Sequence, residues 1–214
     1  MVRVVVVRGD GAASFSAGAD ISEFETSRTG DAARHYNELN HRAFAALQAV
    51  SKPTLAMVHG HCLGGGLAIA ACCDLRIADD RSTFAIPAAR LGIGYDPRWV
   101  KPLLAILPAP RVKEILFTAR RIAAHEALAM GLVNAVYPSA DLERQVRALA
   151  GAMSENAPLT LKAAKRAVDA LSQDPAGADL APLDRLVADC FASADYAEGQ
   201  RAFLEKRKPV FKGN

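Results

Sequence analysis

A run of three glycines, Gly64-Gly65-Gly66, stands between an apolar segment typical of a buried strand and one typical of a helix. Because glycine has no Cβ atom, the backbone there can approach a ligand closely, and the N–H groups at a helix start point outward. Such amides stabilise an anion or a developing oxyanion. Three glycines also permit close packing of a helix on a strand, so the run alone leaves binding and packing both open.

Other chemistries built on glycine or cysteine are excluded by spacing. Neither G-x-G-x-x-G nor G-x-x-x-x-G-K-[ST] is present, which argues against a dinucleotide or phosphate loop. The absence of G-x-S-x-G excludes a serine hydrolase elbow. Cys62, Cys72, Cys73 and Cys190 lack the spacing of metal ligands, so no metal site is predicted and buried free thiols are expected.

A second segment, Phe15-Ser16-Ala17-Gly18-Ala19-Asp20-Ile21, follows the first predicted strand, as the glycine run follows the second. With both segments present, the sequence closely resembles the crotonase superfamily, the enoyl-CoA hydratase/isomerase family. The resemblance covers essentially the whole chain, since it continues through Cys73-Asp74-Leu75-Arg76-Ile77-Ala78, Gly131-Leu132-Val133-Asn134, Ala157-Pro158-Leu159 and Phe203-Leu204-Glu205-Lys206-Arg207. It implies an α/β fold, a crotonase-like β-spiral core with a helical C-terminal trimerisation region, and an acyl-CoA thioester as substrate with no separate cofactor.

The resemblance also implies roles for individual residues of the two segments. The amides of Ala19 and Gly65 would form an oxyanion hole that binds the thioester carbonyl. The backbone of Ala17, Ala19, Asp20 and Ile21 would line the groove for CoA. Asp20 matches a position that is usually structural, since a short acceptor after such a turn bonds to nearby backbone N–H groups.

Two residues near the C-terminus match further CoA contacts of the family. Phe203 and Lys206 stand where the last helix of relatives meets the adenine and the phosphates, often on a neighbouring subunit. A basic cluster that includes Lys206 would then bind an anionic ligand. An ordinary solvated helix is the alternative interpretation.

The sequence departs from the family at its proton-transfer positions. In the typical hydratase one glutamate lies two residues after the glycine run and another follows the proline of the next strand-loop. Here those positions hold Ala68 and Ala88, and alanine cannot move a proton. Asp96 is the candidate substitute, because dienoyl-CoA isomerases and the chlorobenzoyl-CoA dehalogenase place an active carboxylate at a similar position. A turn residue before Pro97 is the alternative.

Three hypotheses about function follow from these residues. The first is an enzyme of the enoyl-CoA hydratase/isomerase type that stabilises a thioester enolate, with isomerase-type proton transfer by Asp96 and doubtful two-glutamate hydration. The second is a catalytically silent acyl-CoA-binding or assembly paralogue. A weaker third is thioester hydrolysis or decarboxylation. Asp96 is the residue that separates the first from the second.

The order of the predicted strands and helices is typical of an α/β fold in which most strands pair in parallel. Strands are predicted at Val2–Val7, buried on both faces, and at Thr54–His59, Leu75–Ala78 and Thr83–Ile86. Helices are predicted at Ala32–Val50 and Leu67–Cys73. From Pro110 onward six amphipathic helices are expected. The predicted division is an α/β acyl-CoA-binding core over residues 1–107 and a helical region over 108–214.

Composition limits the partners. With 214 residues, 51% of them hydrophobic, the chain can bury a core, and a net charge of +3 is too small to indicate a nucleic-acid-binding protein. No apolar run reaches a membrane span, and cysteine usage favours the cytoplasm.

The two strands and helix that usually precede the strand at Val2–Val7 in the family are expected to be missing, through truncation, a mis-assigned start or loss. A homotrimer or homohexamer is expected, as in relatives.

Overall fold

The computed structural model describes residues 2–20 and 30–214. Ile21, which was predicted to line the CoA groove, lies outside the described residues. Within these ranges, no helix has both the length and the apolar character needed to cross a membrane.

In the described residues the strands form two four-stranded sheets. One has the order β1-β3-β5-β8 and the other the order β2-β4-β6-β7. The strands are β1 (Val5–Arg8), β2 (Ser14–Ser16), β3 (Thr54–Val58), β4 (His61–Leu63), β5 (Leu75–Asp79), β6 (Thr83–Ala85), β7 (Ile122–Ala123) and β8 (Ala135–Tyr137).

From β1 to β6, successive strands alternate between the two sheets. β3 pairs with β5 in parallel and β5 with β8, while β2 pairs with β4 and β4 with β6 in the same sense. Only short turns separate β3 from β4. Gly60 lies in that turn with φ 59°, and a Cβ atom there would stand 2.2 Å from the Ala13 carbonyl oxygen. The prediction of mostly parallel pairing is confirmed, and β7 joins β6 antiparallel.

Helices and a 3₁₀ turn connect the described strands. The 3₁₀ turn spans Pro87–Leu91. The described α-helices are α1 (Gly30–Gln48), α2 (Gly65–Ala71), α3 (Pro97–Ile106), α4 (Ala109–Thr118), α5 (Ala124–Met130), α6 (Leu142–Ser154), α7 (Pro158–Gln173), α8 (Ala181–Phe191) and α9 (Ala194–Leu204). Ser193 caps α9, because its hydroxyl accepts a hydrogen bond from the Tyr196 amide at 3.1 Å.

Contacts divide the chain into two compact units. The larger contains Val6–Val50 and Thr54–Val146, and the smaller contains Met1–Val5, Ser51–Pro53 and Arg147–Asn214. In the larger unit an apolar core surrounds Phe84, Leu67, Ile86 and other fully buried side chains. The predicted division into residues 1–107 and 108–214 remains a prediction.

One prediction about the sheet is wrong. The β-branched run at Val2–Val7 was expected to form a strand buried on both faces, but β1 begins at Val5 and its residues alternate between half-buried and exposed. Val6 is 39% exposed. The reason is that β1 is the edge strand of its sheet, and a continuous apolar run does not distinguish an edge from a centre.

Candidate functional site

The two predicted segments lie side by side at one end of a sheet. β2 and β4 pair in parallel, with Ser16 opposite Cys62. The carboxyl ends of both strands therefore lie at the same end of the sheet. Ala17-Gly18-Ala19 follows β2 there, and Gly64-Gly65 follows β4. Parallel pairing therefore brings together two segments that are far apart in sequence.

The glycines separate the packing explanation from the binding explanation. A Cβ atom at Gly66 would stand 2.6 Å from the Ser16 Cβ, and one at Gly18 would stand 2.9 Å from the Leu63 carbonyl oxygen and 3.7 Å from the Gly65 nitrogen. Both glycines are thus required for close packing of the two segments. At Gly65 an added Cβ would meet no described atom within 4 Å. Packing explains Gly18 and Gly66, and it does not explain Gly65.

The amides around the glycine run differ in their hydrogen bonds. The Gly64 amide donates to the Ala85 carbonyl at 2.8 Å, and the Gly18 amide donates to the Ser16 hydroxyl at 3.2 Å. Gly65 is the first residue of α2, where an amide has no partner within the helix. Neither its amide nor that of Ala19 donates a hydrogen bond to another described residue. Both are available to a ligand oxygen.

These amides border a cleft of about 110 Å³ in the larger unit. Its walls come from the two segments, from α1, from the 3₁₀ turn and from the residues around the start of α3. The described lining residues are Ala17, Gly18, Ala19, Tyr36, Asn40, Phe44, Gly64, Gly65, Ile86, Pro87, Ala88, Leu91, Ile93, Tyr95 and Trp99. None of them is charged, so the described lining is apolar and aromatic with a few neutral polar groups.

The two alanines that match glutamate positions have different surroundings. Ala88 lines the cleft. Ala68 is fully buried and packs in an apolar cluster with Phe44 and Cys72, against which the Trp99 ring also lies. Burial raises the pKa of the Cys72 thiol to about 12, so this side chain stays protonated and inert at neutral pH. Neither alanine position offers an acid or a base.

Asp96 immediately precedes α3 and acts as its N-cap. Its carboxylate accepts a hydrogen bond from the Arg98 amide at 2.8 Å and is held by the Arg98 guanidinium, with Nη2 to Oδ2 at 2.6 Å. The hydrogen bonds from Arg98 hold the pKa of Asp96 below its ordinary value, although partial burial raises it somewhat. Asp96 does not line the cleft, but its neighbour Tyr95 does.

The other predicted CoA contacts are placed in different parts of the chain. Asp20 is exposed, at the end of the segment that carries Ala19. Phe203 and Lys206 belong to the smaller unit, where Phe203 is exposed on α9 and Lys206 follows the end of that helix with φ 55°. The larger unit thus brings Ala17, Ala19 and Gly65 to one cleft.

Sequence reasoning missed the contribution of α1 to the cleft. Tyr36, Asn40 and Phe44 follow one another at four-residue spacing and so share a helix face. The helix predicted at Ala32–Val50 contains these residues, and Tyr36 and Phe44 are among the apolar positions at helical spacing that predict it. A pattern of that kind indicates a buried face and does not distinguish the core from the wall of a cleft.

Comparison with known proteins gives concordant results. A model of the enoyl-CoA hydratase/isomerase family matches residues 1–214. The chain is 36% identical to a short-chain-enoyl-CoA hydratase of Clostridium acetobutylicum over 97% of its own length and 79% of the relative. It is 37% identical to a crotonyl-CoA hydratase of Syntrophomonas wolfei, over 98% of its length and 80% of the relative.

The fold has a close counterpart among solved structures. An enoyl-CoA hydratase/carnithine racemase from Magnetospirillum magneticum superposes with a TM-score of 0.95 and 33% sequence identity. The alignment covers 100% of this chain and 79% of that one. At this identity the likeness extends beyond the fold to the family.

Proposed function

Since the chain belongs to the enoyl-CoA hydratase/isomerase family, we propose that it polarises the thioester carbonyl of an acyl-CoA with the backbone amides of Ala19 and Gly65. Membership makes it an acyl-CoA-processing enzyme of the hydratase/isomerase type with an α/β crotonase-like fold. The proposal concerns which residues of the cleft act on the thioester. It invokes no cofactor besides the CoA thioester itself.

The observation that carries the proposal is the pair of available amides at one cleft. The amides of Ala19 and Gly65 lie on adjoining segments, and neither donates to another described residue. A thioester oxygen that accepts from both would gain negative charge as the α-proton leaves, and the amides would stabilise the resulting enolate. Removal of one such donor typically lowers kcat by about 10²–10³-fold.

We assign the accompanying proton transfer to Asp96, which does not line the cleft but directly follows Tyr95, a residue that does. Its low pKa keeps the carboxylate ionised at neutral pH and therefore able to accept a proton. The same low pKa makes it a weak base, so turnover is expected to be slow. Ala68 and Ala88 stand where the typical hydratase has its two glutamates. We therefore expect this chain to hydrate enoyl-CoA more slowly than it isomerises it.

A second candidate function is an acyl-CoA-binding or assembly role without catalysis. It is favoured by one observation: the Asp96 carboxylate is already engaged by Arg98 and caps α3, and no described residue lining the cleft is charged. Under this alternative the amides bind the thioester and no proton moves.

The first experiment tests the amide of Gly65. Gly65→Pro deletes the proposed donor, and proline is tolerated at the first position of a helix. Gly65→Ala is the matched control, because it retains the N–H and directs its Cβ into open space. Crotonyl-CoA hydration and enoyl-CoA isomerisation are measured for each protein. We expect Gly65→Pro to lose about 100-fold or more in kcat/KM and Gly65→Ala, which keeps the N–H but adds a methyl group at the cleft, to lose much less.

The outcomes distinguish the candidates. Equal turnover in Gly65→Pro and wild type would reject the oxyanion hole. Turnover by the wild type that is abolished in Asp96→Asn supports proton transfer by Asp96, whereas full rate in that variant removes Asp96 from the mechanism. Micromolar binding of CoA esters without any turnover would support the binding role.

We further propose assembly into a homotrimer or homohexamer through the helices of the smaller unit. Those helices expose apolar side chains such as Phe191, Phe203 and Leu204. Under this proposal Phe203 and Lys206 of one subunit contact CoA bound to a neighbour. A cytoplasmic location stays a prediction from cysteine usage.

A further inference from the structure

A pocket in the smaller unit is lined by three cationic side chains. It has a volume of about 180 Å³ and is formed by residues that precede β1 and β3, by the end of α6 and by the start of α7. Arg3, Lys52 and Lys162 line it, and no described lining residue carries a carboxylate side chain. All of its lining residues belong to the smaller unit, and none of them lines the cleft with the amides of Ala19 and Gly65. The pocket is therefore not part of the proposed thioester site.

The three cations lack counter-charges. None of them forms an ion pair with another described residue. Glu155 precedes the lining residue Asn156 in sequence, but its carboxylate pairs with Lys208, whose Nζ lies 2.6 Å from Oε2. Like charges around one pocket repel one another, and an anion placed between them is attracted by each. The pocket thus has the electrostatics of an anion site.

Arg3 is fixed in the wall of this pocket. Its Nη2 donates a hydrogen bond to the Phe211 carbonyl at 2.7 Å. Its Nη1 is buried and has no acceptor among the described residues, although buried polar atoms in folded proteins usually have one. Lys52 is exposed and Lys162 is half-buried, so their flexible ammonium groups can meet an ion that enters from solvent. The guanidinium adds its charge from the wall, and this attraction needs no direct contact with Nη1.

We propose that this pocket binds the phosphate group of a small ligand. A phosphate monoester carries a charge of about −1.5 to −2 at pH 7, so it balances more than one of the three cations, whereas a carboxylate balances only one. The volume is below the roughly 300–1,000 Å³ of pockets that enclose drug-sized ligands, so a single phosphate group fits while the rest of a larger ligand stays outside. Two sources share this chemistry, the free phosphate ion and a phosphate group of CoA.

Calorimetric titration with inorganic phosphate at constant ionic strength tests the site. The pocket variant, Lys52→Gln/Lys162→Gln, removes two of the cations and keeps the Lys52 carbonyl, which accepts a hydrogen bond from Lys165. Lys101→Gln/Lys113→Gln is the matched control, because it removes the same charge from exposed lysines of α3 and α4. We expect the wild type and the control to bind phosphate equally, and the pocket variant to bind it about tenfold more weakly or less tightly still.

Thermal midpoints give a second readout that does not depend on the heat of binding. A bound ion stabilises the folded chain by mass action. Phosphate should therefore raise the midpoints of the wild type and the control above those in sodium chloride of the same ionic strength, and it should not do so for the pocket variant. Without phosphate the pocket variant should be as stable as the wild type, since neither lysine has a described ion partner to lose.

Adenosine 3′,5′-bisphosphate distinguishes the two sources of the phosphate group. If it binds more tightly than inorganic phosphate and the pocket variant loses this binding, the ligand is a phosphate of CoA; weaker binding identifies the free ion. No saturable binding of phosphate to the wild type at millimolar concentration, or equal affinity in the wild type and the pocket variant, would overturn the proposal. The proposed thioester site is tested separately, by the turnover of the Gly65 variants.

Discussion

At Asp96 two demands meet on one carboxylate. As the N-cap of α3 it accepts a hydrogen bond from the Arg98 amide, and as the proposed proton-transfer base it would have to accept a proton from the substrate. The guanidinium of Arg98 strengthens the first role and weakens the second, because it stabilises the ionised form. The Arg98 Nη1 atom also lies 3.7 Å from Glu38 Oε2, so the guanidinium pairs with a second carboxylate. Arg98 is therefore the side chain that lowers the pKa of the Asp96 carboxyl most.

Replacement of Arg98 tests whether the carboxylate takes part in turnover. Arg98→Gln removes the guanidinium and keeps the backbone amide that Asp96 caps. A lowered pKa keeps Asp96 ionised to lower pH, so the acid limb of the wild-type kcat/KM profile should lie below the ordinary aspartate value of about 4. In Arg98→Gln the limb should move up toward that value. The measurement is kcat/KM for enoyl-CoA isomerisation as a function of pH, with brief exposure to acid.

The control for this variant is Lys101→Gln, which removes an exposed cation from the same helix without touching Asp96. Its pH profile should match that of wild type. A limb that stays in place in Arg98→Gln would show that a different group titrates, and Asp96 would then be a cap alone.

At the scale of elements, the contact between β2 and α2 sets the geometry of the amide pair. Gly66 packs directly on Ser16, whose hydroxyl accepts the Gly18 amide. This chain of contacts fixes the position of Ala19 relative to Gly65. A change in the packing should therefore alter stability and the proposed oxyanion hole together.

Gly66→Ala is predicted to lower the free energy of unfolding by about 1–3 kcal/mol, because the new Cβ would overlap the Ser16 side chain. Gly65→Ala, which adds the same methyl group one residue earlier in open space, should be neutral or slightly stabilising. Chemical denaturation measures both. Ser16→Gly in the Gly66→Ala background should recover only part of the loss, since the Ser16 carbonyl oxygen would still be 2.9 Å from the added atom. Equal stability of the two alanine variants would contradict the packing argument.

Part of this site was predictable from sequence, and the limits have physical causes. The glycine run around Gly65 was singled out because glycine permits close backbone approach, whereas the roles of the Ala19 and Gly65 amides came from the resemblance to the enoyl-CoA hydratase/isomerase family. The helix face of Tyr36, Asn40 and Phe44 was missed as a cleft wall, since an apolar face looks the same to the core and to a ligand. The bond between Asp96 and Arg98 was missed as well, because both are polar residues in a turn whose geometry the sequence leaves open.

For the whole molecule, the fold followed from the order of elements more securely than from any one of them. Strand, glycine turn and helix in succession predicted parallel pairing, and the structure confirms it in both sheets. The edge position of β1 was not predictable, because whether a strand has one neighbour or two depends on segments distant in the chain. Sequence periodicity reports local environment, and sheet order is a global property.

The apolar surface of the smaller unit leads to a prediction about assembly. Its helices α7, α8 and α9 enclose a groove of about 680 Å³ with an almost entirely apolar lining. Outside it, Val168 is 66% exposed and Leu204 is 81% exposed. Exposed apolar area of this kind is more typical of an interface than of a monomer surface. A second copy of the chain is the partner that the proposed trimer or hexamer supplies.

Light scattering coupled to size exclusion should therefore give a mass of three or six times the 22.7 kDa chain. The double variant Val168→Glu/Leu204→Glu places charges on the proposed interface and should shift the mass to that of the monomer, because burial of unpaired carboxylates is costly. Phe117→Glu is the control: Phe117 is 75% exposed on α4 of the larger unit, and its replacement should leave the mass unchanged. A monomeric wild type would reject the assembly. Dissociation by Phe117→Glu alone would move the interface to the larger unit, and CoA contacts by Phe203 and Lys206 of a neighbouring subunit would then lose their structural basis.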